Sequence, residues 1–277
     1  MKKWGLIVVV LVIVVAAIAY YMRTQQSQQQ AEEAAPPAAA MQKVVIATEG
    51  AYPPFNFVDA SGALQGFDVD IANALCKAAS LECEFVVQDW DGMIPGLLAK
   101  KYDAIIAQMS ITEERKKKVD FSSKYANTPT KFVRKKGSGI EITDEGLKGK
   151  RIGVQVSTIQ ENYLREKYGS LVDVKSYDTV ENANLDMLAG RVDLLFADAV
   201  ALDEDFLKTD AGKDFEFVGP AFDDPKWFGE GAGIAVRKGE DELREGFNRA
   251  IDEIRKDGTY NKIQSKYFAY DVYGTES

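Results

Sequence analysis

The sequence predicts an α/β fold built from two similar units, and two observations carry that expectation. The first is an internal echo. Leu98-Ala99-Lys100-Lys101-Tyr102-Asp103-Ala104-Ile105-Ile106-Ala107-Gln108 is matched by Leu188-Ala189-Gly190-Arg191-Val192-Asp193-Leu194-Leu195-Phe196-Ala197-Asp198. In both, a basic helix end runs through an Asp into a short apolar strand that stops at a polar residue, Gln108 or Asp198. The second is size, since 277 residues with 46% hydrophobic content can bury two cores of about 100 residues each. Open α/β sheets bind at the carboxyl ends of their strands, so like units with polar strand ends predict a ligand between them.

Taken in order, a strand over 43–48 leads through Tyr52-Pro53-Pro54 to a hairpin turn at Asp59-Ala60-Ser61-Gly62. A helix over 68–79, a strand over 82–88, a helix over 93–101 and a strand over 104–108 complete the first unit. The second repeats the order, with strand 151–156, helix 159–168, strand 172–177, helix 182–189 and strand 193–197. Both are βαβαβ. A strand over 232–237, an amphipathic helix over 240–257 and a helix over 260–268 follow, and returning to the first unit supplies the partner they need. Gly229-Glu230-Gly231-Ala232-Gly233 lacks the Lys-Ser/Thr of a phosphate loop and reads as a hinge entering a strand.

Composition excludes several functions. A net charge of −9 argues against a nucleic-acid partner, which needs a basic face. The chain has no histidine, which removes Ser-His and Cys-His nucleophilic pairs and His-containing metal sites, and no cofactor or metal is expected. Lys2 and Lys3 precede an uncharged run over 4–22, so 1–23 reads as a signal sequence or a signal anchor. Ala17-Ile18-Ala19 and Ala38-Ala39-Ala40 both offer a cleavage site, while an uncut run spans a bilayer with the lysines inside. No Cys lies near the end of the run, which argues against a lipoprotein. Either way the bulk of the chain is expected to be periplasmic or otherwise extracytoplasmic. Residues 24–42, rich in Gln, Ala, Glu and Pro, read as a solvated, disordered linker. In an oxidising space Cys76 and Cys83 can bridge, the alternative being two buried thiols. A bridge closing so short a loop stabilises by about 2 to 3 kcal/mol through the unfolded chain.

Over 43–274 the chain resembles the periplasmic binding proteins for polar amino acids, and is most similar to the lysine/arginine/ornithine-binding and histidine-binding proteins of bacterial ABC importers. The resemblance rests on Tyr52-Pro53-Pro54-Phe55, Gly66-Phe67-Asp68-Val69-Asp70, Ile94-Pro95-Gly96-Leu97, Ser110-Ile111-Thr112-Glu113-Glu114-Arg115 and Asp120-Phe121-Ser122. Asp257-Gly258-Thr259-Tyr260, Lys266-Tyr267-Phe268 and the Cys76/Cys83 spacing add to it. It implies a two-lobed type II periplasmic binding protein with two hinge crossings, lobe 1 being 43–128 plus 229–277 and lobe 2 being 129–228. An amino acid is clamped between the lobes, and a monomer delivers it to a membrane ABC permease complex.

The ligand's α-carboxylate calls for a guanidinium and a helix N-terminus. Arg115 matches the family's carboxylate-binding Arg, although without the resemblance 113–118 reads as a solvated charge run. Thr158, Ile159 and Gln160 open a helix whose amides can donate, after Gln155 at the end of the preceding strand. Asp198 matches the acceptor for the α-ammonium, helped by the Ser110 hydroxyl and the Gln108 carbonyl, and an N-cap role is compatible with this. Glu49, Tyr52, Asp68 and Trp90 match the side-chain pocket, with Trp90 offering a face for stacking. Asp68 as a structural cap and Trp90 as plain core are the competing readings. Ala107 and Gln108 depart from the relatives' small hydroxyl residues, and Gln155-Val156-Ser157-Thr158-Ile159 departs from their Gly-Thr-Thr run, so carboxylate contacts there are expected to be mainly backbone.

Glu49, Asp68 and Asp198 against Arg115 leave an acidic excess that a cationic side chain reduces, which favours arginine, lysine, ornithine or histidine. A neutral, glutamine-type ligand is the alternative, because a glutamine-binding relative can also be acidic at the Glu49 position. A dehydratase on the same scaffold, with Glu49 as acid, is a second alternative, and no enzyme activity is expected. A sensory module would need a cytoplasmic output domain, and none is expected after Ser277.

Overall fold

The computed structural model describes residues 20–23 and 42–274. The expected leader and linker lie outside the described residues, apart from 20–23, which are exposed and helical, and Gln42, which opens the first strand. Among the described residues no helix is long and apolar enough to cross a membrane.

Strand β1 (Gln42–Thr48) runs into a small antiparallel sheet of β2 (Ala51–Tyr52), β3 (Asn56–Val58) and β4 (Leu64–Gln65). Its turn lies where Asp59 and Gly62 predict it, closed by the Gly62 N–H donated to the Asp59 carbonyl at 2.9 Å. Helix Phe67–Ala78 leads to β5 (Leu81–Val87), helix Met93–Leu98 to β6 (Ala104–Ile105), and helix Glu113–Lys116 to β7 (Asp120–Ala126). A disulfide joins Cys76 on the first helix to Cys83 on β5. The chain then crosses into β8 (Thr130–Lys135), β9 (Arg151–Gln155), helix Ile159–Tyr168, β10 (Asp173–Tyr177), helix Val180–Leu188, β11 (Leu194–Asp198) and β12 (Phe215–Phe222). After helix Pro225–Phe228 it returns as β13 (Ala232–Val236), helix Asp241–Lys256 and helix Thr259–Gln264.

Two five-stranded sheets result, ordered β5-β1-β6-β13-β7 and β10-β9-β11-β8-β12. The first three strands of each are parallel and the last two antiparallel to their neighbours. Ile46, Phe67, Leu75, Phe247 and Ile251 fill the core beside the first sheet, so the C-terminal helices do return to the first unit. The core beside the second is built on Phe132, Ile152, Leu164, Phe196 and Phe228, with the Phe132 and Phe196 rings stacked at 4.1 Å.

Several boundaries differ from expectation for local reasons. The helix expected over 93–101 stops at Leu98 because Lys100 turns left-handed, φ 59°. β6 was expected through Gln108 but its ladder ends at Ile105. Ile106 still donates to the Ala47 carbonyl at 3.0 Å, and the left-handed turn at Gln108, φ 51°, then carries the chain away. Helix 260–268 is shorter, Thr259–Gln264. β7, β8 and β12 have no counterpart in the periodicity reading. Their sequences mix charged and apolar residues without strict alternation, and their pairing is supplied by strands distant in sequence.

Candidate functional site

The residues at or just beyond the ends of β1, β6, β9 and β11 converge on one cavity. Glu49, Gln108, Gln155 and Asp198 all stand on its wall, together with Tyr52, Trp90, Ser110, Arg115, Thr158, Ile159 and Gln160.

Arg115 sits on the one-turn helix Glu113–Lys116, whose N-cap Thr112 accepts the Arg115 N–H at 3.2 Å. Its Nη1 donates to the Ser110 carbonyl at 3.0 Å, and its guanidinium lies 5.2 Å over the Trp90 ring. Among the described residues it has no carboxylate at ion-pair distance, and burial brings it down to about 10. A half-buried guanidinium over an indole ring and lacking a counter-ion among the described residues is poised to take one in a bidentate fork.

From the second sheet, the Ile159–Tyr168 helix points its N-terminus at the same cavity. Thr158 Oγ1 accepts the Glu161 N–H at 3.1 Å, while Glu161 Oε2 accepts the Ser157 N–H at 2.7 Å, a reciprocal cap. First-turn N–H groups such as those of Ile159 and Gln160 have no partner within a helix, which suits them to an anion. The Trp90 Nε1–H donates to the Ser157 carbonyl at 3.2 Å and so links the two halves of the wall.

Asp198 caps the turn Ala199–Ala201, accepting the N–H groups of Val200 at 2.8 Å and Ala201 at 3.2 Å, and also accepts the Thr128 hydroxyl. Burial raises its carboxyl to about 6 against the pull of those donors. The cap role and a wall position therefore coexist. Glu49 is 4% exposed, and its Oε1 accepts from Gln155 Nε2 at 2.5 Å. Burial pushes it up to about 7, and no cation among the described residues holds it down.

Asp68 stands apart from the other expected ligand residues. It lies beneath the wall, 1% exposed, accepting Gln108 Nε2 at 2.8 Å, Asn56 Nδ2 at 2.8 Å and the Tyr125 hydroxyl at 3.0 Å. All three of these donors come from outside its own helix. The charged groups on the wall are thus Glu49 and Asp198 against Arg115, a smaller acidic excess than the sequence suggested, with the same sign.

Asn127, Thr128, Thr130, Phe228, Gly231 and Ala232 also line the cavity, beyond the ligand residues that the sequence predicts. All lie on or beside the two crossings. The glycine-rich run at 229–233 stands at the second crossing, but the inward turn of its neighbours depends on both sheets being in place.

The family model described as bacterial extracellular solute-binding proteins, family 3, matches residues 44–270. The L-arginine-binding protein of Pseudomonas aeruginosa is 50% identical over 233 residues, 84% of this chain and 90% of that protein. The lysine/arginine/ornithine-binding periplasmic protein of Escherichia coli is 44% identical over 234 residues, with 84% and 90% covered. Among solved structures, an ancestral arginine-binding protein bound to arginine is similar with a TM-score of 0.76 at 40% identity, covering 82% of this chain and 98% of that one. The family match takes in both sheets and every residue of the cavity wall, and the chain belongs to the bacterial extracellular solute-binding proteins, family 3.

Proposed function

We propose that this protein captures an L-amino acid with a cationic side chain, arginine foremost, between its two lobes outside the cytoplasm and delivers it to a membrane ABC permease. The observation that carries the side-chain assignment is Glu49, a buried carboxylate whose hydrogen-bond partner is the neutral amide of Gln155. A buried charge without a counter-charge is costly, and an ammonium or guanidinium beside it removes the cost. Arg115 and the Thr158-capped helix take the α-carboxylate, and Asp198 with Ser110 takes the α-ammonium. The relatives named above bind arginine, or lysine, arginine and ornithine, in agreement with this reading.

Lobe 1 comprises 43–128 with 229–277 and lobe 2 comprises 129–228, hinged near Asn127-Thr128-Pro129 and Phe228-Gly229. Gly229 carries a left-handed φ of 79° and the Ile111 carbonyl lies 2.4 Å from where a side chain would begin, so this crossing requires glycine. The protein acts as a monomer, with residues 1–23 as its export signal, cut or retained.

The test is a thermal-shift panel over the common amino acids. A ligand at about 1,000 times its Kd adds about 4 kcal/mol. For a domain of this size that raises Tm by roughly 8 to 16 °C. Arginine, lysine, ornithine or histidine gives the largest shift. A largest shift with glutamine replaces this reading with a neutral polar ligand.

The dehydratase alternative has one favourable observation, a Glu49 carboxyl near 7 that suits an acid catalyst. Incubation with a prephenate-like compound leaves it intact if the protein is a binder, and turnover decides for the enzyme.

A further inference from the structure

Beneath the cavity wall, one buried carboxylate ties together two segments that both reach the cavity. Asp68 Oδ1 accepts Gln108 Nε2 at 2.8 Å, while Oδ2 accepts Asn56 Nδ2 at 2.8 Å. Asn56 Oδ1 in turn accepts the N–H of Gly50 at 2.8 Å, one residue after Glu49. Tyr125 closes the network, its hydroxyl donating to Asp68 Oδ1 at 3.0 Å and accepting the Gln108 N–H at 3.0 Å. That last bond holds Gln108 in its left-handed conformation, φ 51°. An ionised carboxylate only accepts, so it dictates which end of a neighbouring amide turns toward it. The nitrogen of Gln108 faces Asp68, and its oxygen points the other way.

We propose that Asp68 is a positioning residue for ligand selectivity: it orients the Gln108 amide so that Oε1 joins Glu49 in accepting hydrogen bonds from the ligand's cationic end. Gln108 and the turn after Glu49 hang from the same carboxylate, the turn by way of Asn56, and Glu49 and Gln108 both stand on the cavity wall. The inference rests on the cationic-ligand reading above and concerns how the selectivity arises. Citrulline is the probe, because it has nearly the shape of arginine without the charge.

Calorimetric Kd values for arginine and citrulline are compared in the wild type, Asp68→Asn, Gln108→Leu and the double variant. A hydrogen bond to a charged group is worth about tenfold or more in affinity. The preference for arginine over citrulline falls about tenfold in Asp68→Asn, about as much in Gln108→Leu, and no further when both are combined. An unchanged preference in Asp68→Asn overturns the proposal. So does a multiplied loss in the double variant, which would mean that Asp68 acts through its own charge, or an equal weakening of both ligands, which would place Gln108 at the α-ammonium. Should Asp68→Asn fail to fold, Gln108→Leu decides alone, and a wild-type preference there overturns the proposal. A wild type that does not prefer arginine to citrulline overturns the cationic-ligand reading itself, whereas a normal preference with independent variants overturns only the role of Asp68.

Discussion

The two sheets share a strand order and finish it from opposite directions. In each, three parallel strands are followed by an antiparallel pair, and each pair joins one strand that leaves for the other sheet to one that has just arrived. β7 leaves the first sheet for β8, and β12 leaves the second for β13. The crossings are thereby built into both ladders. The echoed strands nevertheless end differently. β11 continues through Asp198, where the N–H groups of Val200 and Ala201 solvate a carboxylate on the cavity wall. β6 stops at Ile105, and the wall receives the neutral Gln108 with a carboxylate one layer beneath it. A charge can be placed at a strand end where a following helix supplies donors, and is set back where none follows.

Helix starts show the same divergence. Thr158 and Thr179 cap the second sheet's helices with their side chains. The Phe67–Ala78 helix starts at Gly66, φ 123°, without a side-chain cap, and the Asp68 N–H donates instead to the Phe55 carbonyl at 2.7 Å. Gly66 is required there, since a Cβ would sit 2.3 Å from that same carbonyl oxygen. This backbone clasp leaves the Asp68 carboxylate for the network under the site.

The largest expected effect tests how the two halves share the ligand's carboxylate. Arg115→Lys keeps the charge but loses the fork, and affinity falls by about 2 to 5 kcal/mol while the fold survives. A loss under about 1 kcal/mol by calorimetry assigns the carboxylate to the second half's helix N-terminus.

Next comes Glu49, whose carboxyl titrates near 7 in the folded protein against 4.5 ordinarily. The folded state then holds more protons than the unfolded one between those values. Its contribution to stability is therefore most favourable at low pH and is lost as pH rises through that window. Denaturant titrations of wild type against Glu49→Gln should diverge by about 3 kcal/mol across it, and parallel curves contradict the burial account. Arginine draws the group back toward its ordinary range, so binding near neutrality releases protons. Calorimetry in buffers of different ionisation enthalpy detects the release, and glutamine gives less of it.

The disulfide staples the first half only. Cys76→Ser lowers stability by about 2 to 3 kcal/mol and leaves arginine affinity unchanged, since the bridge lies away from the wall. A change in Kd would couple the bridge to the site. The smallest effect is in the second half, where Thr179→Ala removes the cap on Asn182 N–H at 3.1 Å and costs about 1 kcal/mol by urea denaturation, again without changing Kd.

Much of the site was legible because its residues sit at the ends of elements whose periodicity is strong. The echo placed Gln108 and Asp198, and helix 159–168 was bounded to the residue by Thr158 in front of it. The antiparallel strands were not legible. Asp120–Ala126 reads as a mixture of polar and apolar residues, since one of its edges faces β13, more than a hundred positions away. Asp68 fitted the family's pocket pattern, but a pattern does not say on which side of Gln108 a carboxylate will lie.

By itself the sequence determined the two α/β units, the strand ends that carry polar residues and the acidic sign of the cavity wall. Those follow from local periodicity and residue chemistry. Only the tertiary structure decided which carboxylates reach the cavity, which one stands behind it, and that the crossing residues Asn127, Thr128 and Gly231 help to line it. The reason is that burial and hydrogen-bond partners belong to pairs of segments far apart in sequence. Asp68 meets Gln108, and Glu49 meets Gln155, only after the sheets have formed and come together.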